Sequence, residues 1–245
     1  MGRTIRINRF LASAGIGSRR ACEDLIRKGL VSVNGMPIVN LSLKIDPEKD
    51  RVTLEGREIG QPEKSRILVL NKPTGVISTA SDTHGRKTVM DIASEHGYTE
   101  RLFPVGRLDR DTSGIILITN DGDLAYRLTH PKYKIVKVYE VPVSGRVSDG
   151  TALKISEGID TGDYVTRPCL VAILGRDRAS THLEIRLKEG RKRQIRRMLA
   201  ICGHKVIRLH RTALGDLGFE DLENGDMRPL SEEEEKRLRE LSGLD

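Results

Sequence analysis

The sequence predicts an α+β protein in two parts: a small module over residues 1–60, then a larger, mostly antiparallel domain over residues 66–245, joined by a linker at 61–65. Three observations carry this. The first sixty residues run two short helix patterns into a hairpin signal. After residue 66, strand and helix patterns alternate irregularly, without the regular βαβ cadence of a parallel sheet. The chain also lacks a G-x-G-x-x-G turn and a Walker loop, which argues against a nucleotide-binding sheet.

Taken in order, Ile7, Phe10, Leu11 and Ala14 fall at i, i+3, i+4 and i+7 and predict a helix stopped by Gly15. Ser18 is a good N-cap for a second helix that turns Cys22, Leu25 and Ile26 inward and closes at Gly29. Val31-Ser32-Val33 leads into Asn34-Gly35, the strongest two-residue hairpin signal, and Met36-Pro37-Ile38 returns. The stretch from Gly60 to Ser65 is polar, contains Pro62 and has no period, as a linker does. Apolar runs then predict strands at Arg66–Asn71, Ile115–Thr119, Val136–Val143, Leu170–Leu174 and Leu183–Leu187. A helix is expected after the Asn120–Asp123 turn, through Leu124 and Leu128. Another at Gln194–Ile201 buries Ile195, Met198 and Leu199, and Val206–Leu209 returns as a strand. Ser231-Glu232-Glu233-Glu234 is a capping box that opens a last helix.

No apolar run approaches the ~18 residues a membrane-spanning helix needs, and the basic start Met1-Gly2-Arg3 lacks the apolar stretch of a signal peptide. The three cysteines show no CxxC spacing, so neither a disulfide framework nor a zinc site is indicated, and a reducing cytoplasm is expected. Cys22 and Cys202 fall on apolar helix positions and read as small buried hydrophobes. The net charge of +7 points to nucleic acid. Its distribution is uneven: seven Lys/Arg against two acids over 1–30, ten against one over 186–211, and four against eleven over 215–245. Solvated helix faces explain the acidic tail well and the 186–211 segment badly.

Three segments carry chemistry. In Gly106-Arg107-Leu108-Asp109-Arg110-Asp111-Thr112-Ser113-Gly114 a carboxylate stands among arginines, hydroxyls and glycines, on a loop feeding an apolar strand. Turn capping would use such an aspartate; flanking cations would also hold it ionised, ready as nucleophile or base. Tyr139, in Lys137-Val138-Tyr139, belongs either to a strand core or to a flat platform on which a nucleobase stacks, worth ~1–3 kcal/mol per base. Its phenol is also able to move a proton. Lys188 to Met198 crowds cations onto a loop and a helix start, with Arg193, Arg196 and Arg197 on one helical face opposite Ile195 and Met198.

The run from Arg6 to Gly15, with Ser18-Arg19-Arg20 through Val33-Asn34-Gly35, resembles the S4 RNA-binding domain. That likeness implies that Arg9, Ser18, Arg19, Arg20, Arg27 and Lys28 hold RNA backbone. Gly106-Arg107-Leu108-Asp109 with Thr112-Ser113-Gly114, Lys137-Val138-Tyr139, and Glu189 through Met198 resemble the three active-site motifs of pseudouridine synthases. The basic loop Asn71-Lys72-Pro73-Thr74-Gly75-Val76-Ile77-Ser78 adds a fourth match. An S4 module in front is similar to the bacterial ribosomal-RNA branch, and Gly75 to Asp91 looks closest to its large-subunit, B-type members, with the small-subunit enzyme a near relative.

The resemblance implies an isomerisation of uridine in place, with base flipping and no cofactor or metal. It assigns Asp109 as the carboxylate acting at the ribose, Arg196 as its ion-pair partner, and Tyr139 as the group stacked on the base. Lys72, Arg107, Arg191, Arg193 and Arg197 are expected to contact RNA. The partner is ribosomal RNA, free or in a pre-ribosomal particle; no membrane is involved, and a monomer is expected. The rival reading is a non-catalytic RNA-binding assembly factor, which would have no need of a carboxylate among phosphate-seeking arginines. A phosphoryl-transfer enzyme, suggested by Leu108-Asp109-Arg110-Asp111, fails for want of a Gly-rich loop and metal-binding residues.

Overall fold

The computed structural model describes residues 4–61, 63–219 and 221–244; the basic start at 1–3 and Pro62 of the expected linker lie outside them. The chain divides into two compact units, Met1–Arg66 with Asn120–Gly122, and Ile67–Thr119 with Asp123–Asp245. Among the described residues no helix is long and apolar enough to cross a membrane.

The first unit contains β1 (Ile5–Arg6), α1 (Ile7–Ser13), α2 (Arg19–Arg27), β2 (Val31–Val33), β3 (Met36–Pro37), β4 (Lys44–Ile45), β5 (Val52–Leu54) and β6 (Arg57–Glu58). The Ser18 hydroxyl accepts the Ala21 N–H at 3.1 Å and so starts α2. Ile7, Phe10 and Leu11 of α1 meet Cys22 and Ile26 of α2 over Val31, Ile45 and Val52. Each such side chain, fully buried, contributes about 1.5–3 kcal/mol. Asn34 and Gly35 sit at φ 51° and 81°, the two left-handed positions of a tight hairpin, and pair Val33 with Met36. The small sheet runs β3-β2-β5-β6, and β1 pairs β4.

The second unit contains β7 (Ile67–Lys72), α3 (Val89–Glu95), β8 (Phe103–Pro104), β9 (Ser113–Thr119), α4 (Gly122–Thr129), β10 (Lys137–Ser144), α5 (Asp149–Glu157), β11 (Leu170–Arg176), β12 (Ser180–Leu187), α6 (Gln194–Ile201), β13 (His210–Leu214), β14 (Leu217–Gly218), β15 (Met227–Pro229) and α7 (Glu232–Ser242). One sheet runs β11-β12-β10-β13-β9-β7-β15, with β14 on β13 and β8 on β9. Its pairings are antiparallel except β13 with β9, which is parallel. The architecture is therefore α+β and mostly antiparallel. Helix α6 packs on one half of the sheet through Ile195, Met198 and Leu199, against Val141, Val143, Leu183 and Ile185. The first turn of α7 is closed by the Ser231–Glu234 capping box that the sequence predicts.

One expectation differs, and two helices appear that the sequence reading does not contain. Val206–Leu209 is not a strand: Val206 makes one bridge to Val143, Ile207 is exposed, and the strand follows at His210–Leu214. The reason lies on β10, where Pro142 accepts the Ile207 N–H at 2.9 Å and has no N–H to return, so the ladder stops there. Helices α3 and α5 carry no long apolar period. They are started by caps, α3 by a Thr88–Asp91 capping box and α5 by the Ser148 hydroxyl on the Thr151 N–H.

Candidate active site

A row of register partners crosses the sheet from Lys72 (β7) to Gly114 (β9), Arg211 (β13), Tyr139 (β10) and Ile185 (β12). Directly paired residues share a face, so this row turns Lys72, Arg211 and Tyr139 the same way. Gly114 is required in it: φ is +109°, and a Cβ there would overlap the backbone N and O of Arg211. The register of β10 on β13 shifts between Val138 and Tyr139, where Thr212 is the extra residue, a bulge on β13 that sets Arg211 opposite the tyrosine. The ring of Tyr139 packs between the α6 core and the core built on Leu70, Val89 and Leu108.

Asp109 lies on the loop entering β9, and its neighbours fix it from both sides. The buried Ser78 hydroxyl lies 3.1 Å from both the N–H and the carbonyl of Leu108, accepting from one and donating to the other. The Gly75 N–H donates to the Arg110 carbonyl at 2.7 Å, and Arg110 Nε returns a bond to the Gly75 carbonyl at 3.2 Å. The Thr112 N–H closes the turn on the Asp109 carbonyl at 3.0 Å. Asp109 is thus pinned at positions 108, 110 and 112 by backbone hydrogen bonds, and its half-buried carboxylate faces a cavity.

That cavity has a volume of about 310 Å³, at the small end of ligand-sized clefts, and brings Asp109 and Tyr139 together with Arg107, Arg191, Lys192 and Arg193. Arg107 is exposed. The 189–194 loop is ordered from beneath by buried Glu189, whose carboxylate accepts from Gln194 Nε2 at 2.6 Å and from the Arg167 N–H at 3.0 Å. Gln194 Oε1 in turn accepts the Arg191 N–H at 3.1 Å. Arg193, at φ 52°, stands at the start of α6 and outside its helical turns.

Arg196 does not reach Asp109. Its Nη2 donates to the Asp111 carbonyl at 2.8 Å, and its Nε lies 3.3 Å from the Asp111 carboxylate. Arg193 forks onto the same carboxylate at 3.0 and 3.1 Å. Burial opposes the charge on Asp111, but the Arg193 and Arg196 guanidiniums outweigh it and hold the carboxyl below its usual range. No ion pair to Asp109 is present among the described residues. Arg197 diverges from the expected common face of Arg193 and Arg196, bonding the Thr161 carbonyl at 3.0 Å and Asp163 at 2.6 Å.

Lys72 is 0% exposed and so makes no surface contact. Its ammonium donates to the carbonyls of Pro73 at 2.9 Å and Val76 at 2.8 Å, tying down the loop that brackets Asp109. Burial pushes it down to about 8, Asp111 and Asp109 act in the opposite sense, and Arg211 adds to the fall. Lys137 is likewise lowered to about 8 by burial and by Arg211. Arg211, 4% exposed, donates from Nε to the Ile115 carbonyl at 2.6 Å and leaves Nη2 buried without a hydrogen-bond partner among the described residues.

The remaining expected contacts lie in the first unit. Arg19, Arg20 and Lys28 are exposed, whereas Arg27 is paired with Asp24 at 2.7 Å and Glu23 at 3.8 Å. Arg9 is half-buried, and Ser18 acts as the cap of α2. Sequence reasoning missed Asp111, Glu189 and Gln194. The available signal for Asp111 was a second aspartate in the same motif, two positions past Asp109.

The model of the RNA pseudouridylate synthase family matches residues 66–201, and that of the S4 domain matches residues 5–52. An RNA pseudouridine synthase of Aquifex aeolicus (strain VF5), described as uncharacterized, is 40% identical, covering 98% of this chain and 96% of the relative. The ribosomal large subunit pseudouridine synthase B of Bacillus subtilis (strain 168) is 39% identical, over 97% of this chain and 96% of its own. A crystal structure of a pseudouridylate synthase superposes with a TM-score of 0.67 at 31% identity, covering 96% of this chain and 99% of that one. With a family model over more than half of its length and relatives this similar across nearly all of it, the chain belongs to the RNA pseudouridine synthase family.

Proposed function

We propose that this chain converts a uridine of large-subunit (23S) ribosomal RNA to pseudouridine, with Asp109 as its catalytic carboxylate. The observation that carries the reading is the convergence of Asp109, Tyr139 and the Arg191–Arg193 loop on one cavity. The ribosomal substrate is supported by the Bacillus subtilis relative, whose name gives the large subunit.

The uridine leaves its stack, at about a few kcal/mol, and enters the cavity. Asp109 supplies an electron pair at the ribose, either attacking C1′ or taking the C2′ proton, as the N1–C1′ bond breaks. Uracil rotates and C5 bonds C1′ as the Asp109–C1′ bond breaks or, on the second route, as C2′ takes its proton back; the C5 proton leaves, N1 ends protonated, and no third reactant is consumed. The Tyr139 ring supports the extruded base, and its phenol stands ready for that proton. Arg196 is a positioning residue: with Arg193 it holds Asp111, and through that turn the aim of Asp109. Arg107 and Arg191 take phosphates beside the extruded nucleotide. Arg9, Arg19, Arg20, Arg27 and Lys28 hold RNA backbone at the S4 domain. Lys72, being buried, acts on this site through its loop and its charge. A ribosomal RNA substrate implies action in the cytoplasm, and a monomer suffices.

The test is tritium release from unmodified 23S and 16S transcripts labelled with [5-³H]uridine, followed by mapping of the product. Release from 23S RNA at one position is expected. Release from 16S RNA alone would overturn the large-subunit assignment, and release from neither while both are bound would overturn the reaction.

A further inference from the structure

Beside the cavity, the turn between Asp160 and Val165, which bridge one another, carries a tyrosine that the reaction does not use. The Thr161 N–H and hydroxyl both donate to the Tyr164 carbonyl, at 2.9 and 2.8 Å, which fixes the turn. The Arg191 guanidinium carbon stands 4.1 Å from the centre of the Tyr164 ring, and that of Arg197 stands 5.4 Å away. Both are within the ~6 Å over which a cation is drawn to a ring face.

The two arginines differ in what else holds them. Arg197 is engaged by the Asp163 carboxylate and the Thr161 carbonyl. Among the described residues the charge of Arg191 has only Glu189, at 3.9 Å, and its side chain is 56% exposed. A guanidinium lying on a ring uses its flat face there and keeps its in-plane N–H donors directed outward, the geometry that grips a phosphate with two bonds. The Tyr164 hydroxyl is buried with no hydrogen-bond partner among the described residues, so the ring, and not the phenol, accounts for the placement of this side chain.

We propose that Tyr164 is a positioning residue for RNA capture: its ring holds Arg191 at the Asp109 cavity, with its donors set for a phosphodiester of the strand that delivers the uridine. The inference rests on the proposed function only for the identity of that strand. Removing the ring frees Arg191 to wander, so affinity falls while the chemical step, run at saturation, does not change.

The test measures kcat and KM by tritium release, with Kd by filter binding on the same RNA fragment, for the full chain and for Tyr164→Leu, Tyr164→Phe, Arg191→Ala and the Leu/Ala double variant. Tyr164→Leu is expected to raise KM and Kd about two- to fivefold with kcat unchanged. Tyr164→Phe keeps wild-type KM and gains thermal stability, because it deletes a buried hydroxyl that has no partner. In the Arg191→Ala background, Tyr164→Leu adds nothing. Wild-type KM and Kd in Tyr164→Leu, an undiminished effect in the double variant, or equal losses for Phe and Leu would each overturn the clamp. Should the leucine variant not fold, Arg191→Lys keeps the charge and removes the stacked planar fork; raised KM supports the clamp and unchanged KM overturns it. Absence of turnover in the wild-type chain would count against the assigned reaction, and the clamp would then be decided on Kd alone.

Discussion

At Asp111 two arginines converge on a carboxylate two positions past the residue assigned the chemistry. Arg193 and Arg196 spend their charge there, and Asp109 faces the cavity without an ion pair among the described residues. The aim of Asp109 therefore depends on Asp111 and on the hydrogen bonds at Leu108 and Arg110. Asp111→Asn should lower the single-turnover rate by about 10- to 100-fold, the scale of a misplacement near 1 Å, with little change in denaturation midpoint. A rate within twofold of wild type would remove Asp111 from the account. Lys72 gives a pH test. Below about 8 the folded and unfolded chains both hold its proton; between about 8 and its ordinary 10.5, only the unfolded chain does. Stability contributed by this group therefore rises with pH across that window. Urea denaturation should show wild type gaining on Lys72→Met from pH 8 to 10.5, and a constant difference would contradict the burial of an ammonium.

At the scale of elements, the row Lys72–Gly114–Arg211–Tyr139 is what joins three separate motifs into one site. Gly114→Ala should force β9 from β13 and strain a left-handed backbone, costing roughly 2–5 kcal/mol. Chemical denaturation measures it; a loss under 1 kcal/mol would mean that the close approach of these strands is not needed. The helices α1, α2, α6 and α7 and the strands β7, β9, β10, β11 and β12 are legible in sequence because their apolar spacing or capping residues act locally. The bend at 206–209 is not, because it depends on a missing N–H at Pro142, more than sixty positions away. For the same reason the motifs alone pair Arg196 with the wrong aspartate. Spacing in a motif places residues on a loop, and only the meeting of the loop before β9 with the start of α6 determines which carboxylate meets the guanidinium.

For the whole molecule, the two basic clusters seen in the sequence fall in different units. Exposed Arg19, Arg20 and Lys28 belong to the first, and the 191–197 arginines to the second. Composition is enough to indicate RNA, while the division between affinity and chemistry needs the site. Replacing Arg19, Arg20 and Lys28 together by Glu should raise the RNA Kd and flatten its dependence on log salt by roughly 0.7–0.9 for each phosphate no longer neutralised. Single-turnover conversion at saturating RNA should stay at wild-type rate; a fall in that rate would mean the first unit shapes the chemical step. The central claim is that Asp109 performs the chemistry. Its most direct test is tritium release from [5-³H]uridine-labelled ribosomal RNA by Asp109→Asn, with folding and RNA binding verified on the same preparation. A loss on the order of 10⁴-fold or more, with binding retained, is expected. Turnover within tenfold of wild type would contradict it.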